Sequence, residues 1–216
     1  SELAPAKINL DLLVTGRRLD GYHELDSLVA FADVADTVSV RPGEGLSLTI
    51  DGPFAPALTG EPASDNLVTR AARLLGESVG RFEPGVTITL FKRLPVASGI
   101  GGGSADAAAT LRALARLWDL GTGHPSLLPV AARLGADVPV CLSGKPAYFG
   151  GVGDIVDPAP PPPPCAVTVP ETLISRSLSR KSKAKWRGIS VVAKVWRERW
   201  SVATALTPQQ GAIDNA

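Results

Sequence analysis

The sequence predicts an α+β domain, and three features predict it. Short runs of alternating aliphatic and β-branched residues recur from Lys7 to Phe91. Two longer runs, Leu67 to Ser78 and Ser104 to Trp118, repeat their apolar residues at helical spacing. Between the last strand-like run and the second helical run lies a glycine-rich loop. Strands and helices mixed in this order need a sheet with helices packed against it.

The first strand covers Lys7 to Val14, and Gly16 to Gly21 reads as a turn with charges at its tip. Ser27 to Ala32, Thr37 to Val40 and Leu46 to Ile50 read as three more strands, before a Pro/Gly loop from Gly52 to Pro62. Ser64-Asp65-Asn66 supplies capping side chains for the helix Leu67 to Ser78, whose Leu67, Ala71, Leu74 and Leu75 share one face. Val86 to Phe91 is a strand of alternating β-branched residues, and Lys92 to Gly103 is the loop. The Ala- and Leu-rich helix from Ser104 to Trp118 follows, then a helix over Leu127 to Leu134, a turn at Gly135 to Pro139 and an apolar strand at Val140 to Leu142.

Six of the seven residues from Pro158 to Pro164 are proline. Proline has no amide hydrogen and a fixed φ, so this run is a stiff connector and no helix or inner strand. The organisation expected is therefore a folded domain over 1–157, a connector over 158–165 and a tail over 166–216. Val169 to Arg180 and Ser190 to Trp200 can be read as short helices, although Ser, Arg and Lys dominate them.

Composition narrows the function. At 216 residues with 44% hydrophobic residues, the chain can bury one sizeable core or two small ones. A formal charge of +1 gives no global field to gather nucleic acid or an anionic membrane, so the partner expected is a small molecule held by local groups. Cys141 and Cys165 stand in no metal-binding spacing, and no metal site is expected from the protein's side chains alone. The opening Ser1-Glu2-Leu3-Ala4-Pro5 has no basic start and apolar run, and nowhere do about 18 apolar residues run on, so a cytoplasmic protein without a membrane span is expected. The absence of methionine means either a removed initiator or a start inside a longer reading frame. From Ala166 onward nine basic residues face three acidic ones, leaving 13 basic and 18 acidic before that point, an acidic body with a basic tail. RNA binding by that tail is a rival reading, but interleaved aromatics and nucleic-acid motifs are both missing.

The loop Pro95-Val96-Ala97-Ser98-Gly99-Ile100-Gly101-Gly102-Gly103-Ser104-Ala105 has a physical meaning between a strand and a helix. Glycines let backbone amides approach a ligand closely, and the helix starting near Ser104 offers unpaired amides and a positive dipole end to a phosphate. Ser104 can cap that helix or reach a Mg²⁺-phosphate pair. The spacing matches neither GxxxxGK[ST] nor a dinucleotide fingerprint followed by an acidic residue on a second strand. A flexible loop ahead of a capped helix is the plainer alternative.

The run Leu94 to Ala108, LPVASGIGGGSADAA, resembles the second motif of the GHMP kinases, P-x-x-x-G-[LI]-G-[SG]-[SG]-[SA]-A. The resemblance implies that family's N-terminal lobe, a ribosomal-protein-like β-α-β arrangement with a glycine-rich phosphate loop, and it implies ATP and Mg²⁺ as cofactors. Ala4-Pro5-Ala6-Lys7-Ile8-Asn9-Leu10 and Gly135-Ala136-Asp137-Val138-Pro139 resemble the first and the aspartate motifs of the branch acting on 4-diphosphocytidyl-2-C-methyl-D-erythritol. By that resemblance Asp137 takes the proton of the substrate hydroxyl, and Lys7 keeps the carboxylate ionised and steadies developing charge. A nearby ammonium does lower a carboxylate's pKa, and phosphoryl transfer needs positioning and electrostatics more than covalent help.

Asp20-Gly21-Tyr22-His23-Glu24-Leu25 carries the D-G-[YF]-H pattern of the same branch. There Tyr22 would stack on cytosine and His23 would hydrogen-bond its edge, roles that suit an aromatic face and an imidazole. Asn9 would face the methylerythritol end. Asn66 and Lys92 would lie near the adenosine, beside the loop from Pro95 to Ala105. The implied activity is transfer of the γ-phosphoryl of Mg-ATP to the 2-hydroxyl of that substrate, in non-mevalonate isoprenoid synthesis, by a monomer or homodimer. Another GHMP kinase, of homoserine or mevalonate type, and a non-catalytic nucleotide-binding remnant are the rival readings.

The matches run to Gly150-Gly151-Val152-Gly153-Asp154 and Asp157 and then cease. A second aromatic for cytosine and a third glycine motif of the G-[ST]-G type do not appear between Cys165 and Ala216, and Trp186, Trp196 and Trp200 align with neither. The expectation is a family core whose C-terminal lobe is truncated or replaced, as a frameshift, a mispredicted gene model or recombination would produce.

Overall fold

The computed structural model describes residues 1–19, 21, 23–60, 62–96, 99–153 and 155–163, and the backbone of two strands at 165–169 and 191–195. Asp20, Tyr22, Ala97, Ser98, Asp154 and the tail readings over 170–190 and 196–216 lie outside the described residues.

Two long strands, β1 (Glu2–Arg17) and β2 (His23–Pro42), form an antiparallel hairpin. The opposite edge of β2 is shared end to end: β5 (Ala147–Gly151) pairs with Leu25 to Val29, and β4 (Val86–Phe91) pairs with Thr37 to Pro42. β3 (Leu46–Asp51) runs parallel to β4 and β6 (Ile155–Pro158) antiparallel to β5, giving the order β3-β4-β2-β5-β6 with β1 on the other side of β2. The parallel pair is joined by helix α1 (Leu67–Ser78), a β-α-β unit inside a mostly antiparallel sheet. β7 (Cys165–Val169) and β8 (Val191–Val195) pair antiparallel, and Val195 stands opposite Ala32.

Helix α2 (Gly102–Leu117) packs on β1 and β2 on one side and on α1, α3 (Leu127–Leu134) and α4 (Val138–Ser143) on the other. That central position explains its composition. Ala105, Ala107, Ala108, Ala109, Ala113 and Ala115 are all buried, and their small side chains let sheet and helices approach from several directions. Leu75, Ile88, Leu111, Leu114 and Phe149 fill the space between. α1 buries Val68, Ala71, Ala72 and Leu75, so Leu67 and Leu74 from the expected face lie at its margin. Arg112 on α2 donates to Leu3 O at 2.8 Å and to Cys141 O at 2.9 Å, tying β1 and the end of α4 to the central helix.

Four expectations need correction. Ser27 to Ala32 and Thr37 to Val40 belong to one continuous strand, because the interrupting Asp36 is buried among partners and costs the strand nothing. Val140 to Leu142 is helical, part of α4: Pro139 favours a helix start and Gly144, at φ 61°, ends it, signals that outweigh an apolar run too short to fix its own period. Ser190 to Trp200 contains a strand, β8, in keeping with its β-branched Val191-Val192-Ala193-Lys194-Val195. Ala147 to Gly151 and Ile155 to Pro158 pair as strands where none was expected, Pro158 standing on the edge strand where a missing amide is tolerated.

Candidate active site

Lys7 sits where the β1–β2 ladder breaks register between Pro5 and Lys7. A break of this kind re-aims side chains, and Ala6 and Lys7 are both buried in succession. Lys7 N donates to Ile100 O at 2.9 Å, fastening β1 to the glycine-rich loop. The Lys7 ammonium donates to Asn9 Oδ1 at 2.7 Å and lies 3.3 Å from Asp137 Oδ1. The Phe149 ring is beneath it, 5.8 Å from centroid to Nζ.

Gly101 makes this placement possible. Its φ of 66° lies in the left-handed region, and a Cβ there would come within 3.0 Å of Lys7 Cβ. Asp137 occupies the N-cap position of α4, yet its side chain makes no capping hydrogen bond. Its carboxylate is directed instead to Lys7, with 39% of the side chain exposed against 4% for the lysine. One wall of the pair is thus dry and positive, and the acceptor faces solvent.

A second ionic cluster lies under the loop. Lys92 is 2% exposed and its ammonium donates to Asp36 Oδ2 and to Asp106 Oδ2. Asp36 Oδ1 also accepts from the amides of Arg93 and Leu94, so this carboxylate organises the start of the loop. Burial acts to lower the Lys92 pKa, but the charges of Asp106 and Asp36 and their hydrogen bonds outweigh it and raise it. Burial pushes the Asp106 carboxyl up to about 7; Lys92 pulls against this and Asp36 adds to it. Asp106 Oδ1 is buried without a hydrogen-bond partner.

Above this cluster is a cavity of about 230 Å³ lined by Leu58, Asp65, Asn66, Leu67, Lys92, Pro95, Val96, Gly102, Gly103 and Asp106. The N-terminus of α2 opens onto it with no side-chain cap, and Gly102 and Gly103 present bare backbone. Asn66 lines the cavity while its Oδ1 caps α1 by accepting from Val68 N at 2.9 Å. A bare helix terminus between glycines, with an amide and an ammonium opposite, suits a polyphosphate and its nucleoside.

Of the loop residues singled out in the sequence, Pro95, Val96, Gly102 and Gly103 line the cavity with Asn66 and Lys92. Ile100 packs with Ala6, Ala32 and Leu94, and Ala105 faces the main core, so their side chains support the loop from behind. Gly99, at φ 77°, precedes the helix start, and Ser104 is the third residue of α2, whose N-cap is Gly101 and not Ser104; neither lines the cavity. Asn9 joins Lys7 directly. His23 is exposed at the tip of the β1–β2 hairpin opposite Arg17, while Lys7 pairs with Phe31 farther along β2. Sequence reasoning missed Asp36, Asp106 and Phe149. A carboxylate inside the alanine run of α2 was the available signal for Asp106, since such a group is buried only with a partner.

Residues 66–145 match the model of the GHMP kinases N terminal domain. Two curated relatives, each named 4-diphosphocytidyl-2-C-methyl-D-erythritol kinase, come from Rhodospirillum rubrum and Ruegeria pomeroyi. They are 57% identical over 162 residues and 62% identical over 160 residues, covering 75% and 74% of this chain. Those alignments take in 52% and 54% of the relatives, so the chain spans about half their length. A solved 4-(cytidine 5'-diphospho)-2C-methyl-D-erythritol kinase is 40% identical with a TM-score of 0.61, over 82% of this chain and 63% of that one. The homoserine kinase of Cytophaga hutchinsonii, 22% identical with a TM-score of 0.51 over 84% of this chain and 60% of its own, shares the fold. With a family match that includes the glycine-rich loop and Asp137, and a sheet that brings Lys7 to them, the chain carries the N-terminal domain of the GHMP kinases.

Proposed function

We propose that the chain houses the nucleotide-binding and acid-base machinery of an ATP-dependent kinase that phosphorylates the 2-hydroxyl of 4-diphosphocytidyl-2-C-methyl-D-erythritol. The observation that carries the reading is the Lys7–Asp137 pair at 3.3 Å, with the aspartate released from capping α4 and left half-exposed. The names of the relatives supply the substrate.

In this reading ATP, when bound, supplies the γ-phosphoryl group, and Mg²⁺ arrives with it, held mainly by phosphate oxygens. Asn66, Lys92, Pro95, Val96, Gly102 and Gly103 hold the nucleotide in the cavity. The amides at the start of α2 face the phosphates and gain from the helix dipole as negative charge shifts toward the leaving group. Asp137 accepts the proton of the attacking hydroxyl at its carboxylate. Lys7 holds that carboxylate in place and offsets charge building on the transferred group, and Asn9 fixes the ammonium in turn. Tyr22 and His23 are proposed to hold the cytosine, and the domain is assigned to 1–157.

The test is ADP release by the purified chain with Mg-ATP and the diphosphocytidyl substrate, beside Asp137→Asn and Lys7→Ala. Turnover reduced at least about 100-fold in both variants is the expected result. Equal turnover in Asp137→Asn would remove the proposed base. Nucleotide binding without turnover is a second reading. It predicts ATP binding by calorimetry in the wild type and no ADP release.

A further inference from the structure

The β5–β6 hairpin approaches Lys7 through Phe149 and approaches Ala136, the residue before Asp137, through Gly153. In the middle of β5, Phe149 is 1% exposed and its ring lies 5.8 Å from Lys7 Nζ. At the other side of the turn, Gly153 is buried at φ +97°, and its amide closes the turn by donating to Gly150 O at 3.1 Å. A Cβ on Gly153 would stand 2.6 Å from Ala136 O, 2.7 Å from Ala136 Cβ and 2.9 Å from Ala136 Cα. All three atoms belong to the residue immediately before Asp137, two of them backbone and the third bonded rigidly to it. No side chain can rotate away to make room.

The side chain of Asp137 does not cap α4, and Gly135, two residues before it, has no Cβ to stiffen the approach; on the other side the Asp137 carbonyl accepts from Cys141 N at 3.3 Å and Val138 is fully buried. α4 is anchored at its far end, where Arg112 holds Cys141 O, while its first turn rests on Gly153 through Ala136. The strand β5 that carries this turn is hydrogen-bonded to Leu25 through Val29 of β2, and β2 is in turn paired with the strand that carries Lys7. A continuous path of backbone hydrogen bonds and van der Waals contact therefore leads from the lysine's strand to the aspartate's backbone.

We propose that Gly153 is a positioning residue, whose lack of a side chain sets the depth at which Ala136 seats and hence the separation of Asp137 from Lys7. The inference rests on reading those two residues as the reacting pair. Any side chain at 153 pushes Ala136 outward and draws Asp137 away from the ammonium. A displacement of about 1 Å at a reacting group costs roughly 100-fold in rate.

The experiment compares wild type, Gly153→Ala and Gly121→Ala. Gly121 has φ +77° and nothing within 4 Å of its would-be Cβ, so it repeats the backbone strain without the contact. Two readouts are taken: kcat and KM for ATP, and the NMR resonances of the Asp137 carboxyl carbon and the Lys7 Nζ nitrogen. In Gly153→Ala, kcat should fall about 10- to 100-fold with KM for ATP unchanged, and both resonances should move, while those of Asp36, Asp106 and Lys92 hold. Gly121→Ala should leave kcat and all of these resonances as in wild type. Unmoved Asp137 and Lys7 resonances in folded Gly153→Ala would overturn the proposal, as would a raised KM for ATP at constant kcat. Absence of turnover in wild type would count against the kinase reading alone, because the resonances still report the seat. Should Gly153→Ala fail to fold, Ala136→Gly removes a methyl from the same contact without adding bulk. The same two resonances must then move, or the proposal fails.

Discussion

Lys7 Nζ lies 3.3 Å from Asp137 Oδ1, and of the two side chains only the aspartate reaches solvent. The lysine follows a register break in the β1–β2 ladder and the aspartate stands at the start of a six-residue helix, with most of the domain's chain between them. Burial of the ammonium is compensated by Asn9, Asp137 and the Phe149 face, which hold the lysine as a wall beside the carboxylate.

Gly101→Ala should damage this wall from the loop side. The new methyl would meet Lys7 Cβ at 3.0 Å and Cε at 3.2 Å, at a backbone φ of 66° that alanine adopts only with strain. The melting temperature is expected to drop by the equivalent of about 1–2 kcal/mol, and ATP affinity to weaken because the helix amides next to Gly101 shift with it. Differential scanning fluorimetry with and without ATP checks both; an unchanged melting temperature would mean that the loop yields freely.

Asp106→Asn should reshape the dependence of stability on pH. With the folded-state carboxyl at about 7 against an ordinary value of 3.8, the unfolded chain ionises first as pH rises. Wild type should therefore lose stability between about pH 4 and about pH 7, at up to about 1.4 kcal/mol per pH unit, and level off above. Asparagine mimics the neutral form and lacks this loss, so the variant's melting temperature relative to wild type should rise from about pH 5 to about pH 8. A relative melting temperature that stays flat over the same interval would show Asp106 ionised in the fold and held by Lys92.

Cys141 should be inert while the domain is folded. Burial pushes its thiol up to about 12, with Lys7 pulling the other way and Asp137 adding to the rise. Very little thiolate is then present at neutral pH, and the sulfur is also shielded, the side chain being almost fully buried. In a Cys165→Ser background, reaction with a chromogenic disulfide should wait for denaturant and then proceed to one equivalent. Labelling of the native protein on the timescale of free cysteine would show that α4 opens.

The sequence by itself determined what short-range physics controls. The helix α1 with its Asn66 cap, the strand β4, the glycine-rich loop and the start of α2 within two residues were legible because periodicity, caps and glycines act over one or two turns of chain. Lys7 and Asp137 were singled out by motifs whose residue order is itself the signal, and the proposed roles await the variants above. Only the tertiary structure decided that Asp36 lies inside a continuous strand, because the lysine and amides that make its burial tolerable come from Lys92 to Leu94. It decided that Val140 to Leu142 is helical, where three apolar residues fit either period and Arg112 supplies carbonyl partners from another helix. It also decided that Gly153 bears on Ala136 and that Lys7 meets Asp137, since contacts across the sheet depend on how the elements pack, and local residue preferences carry no record of that packing.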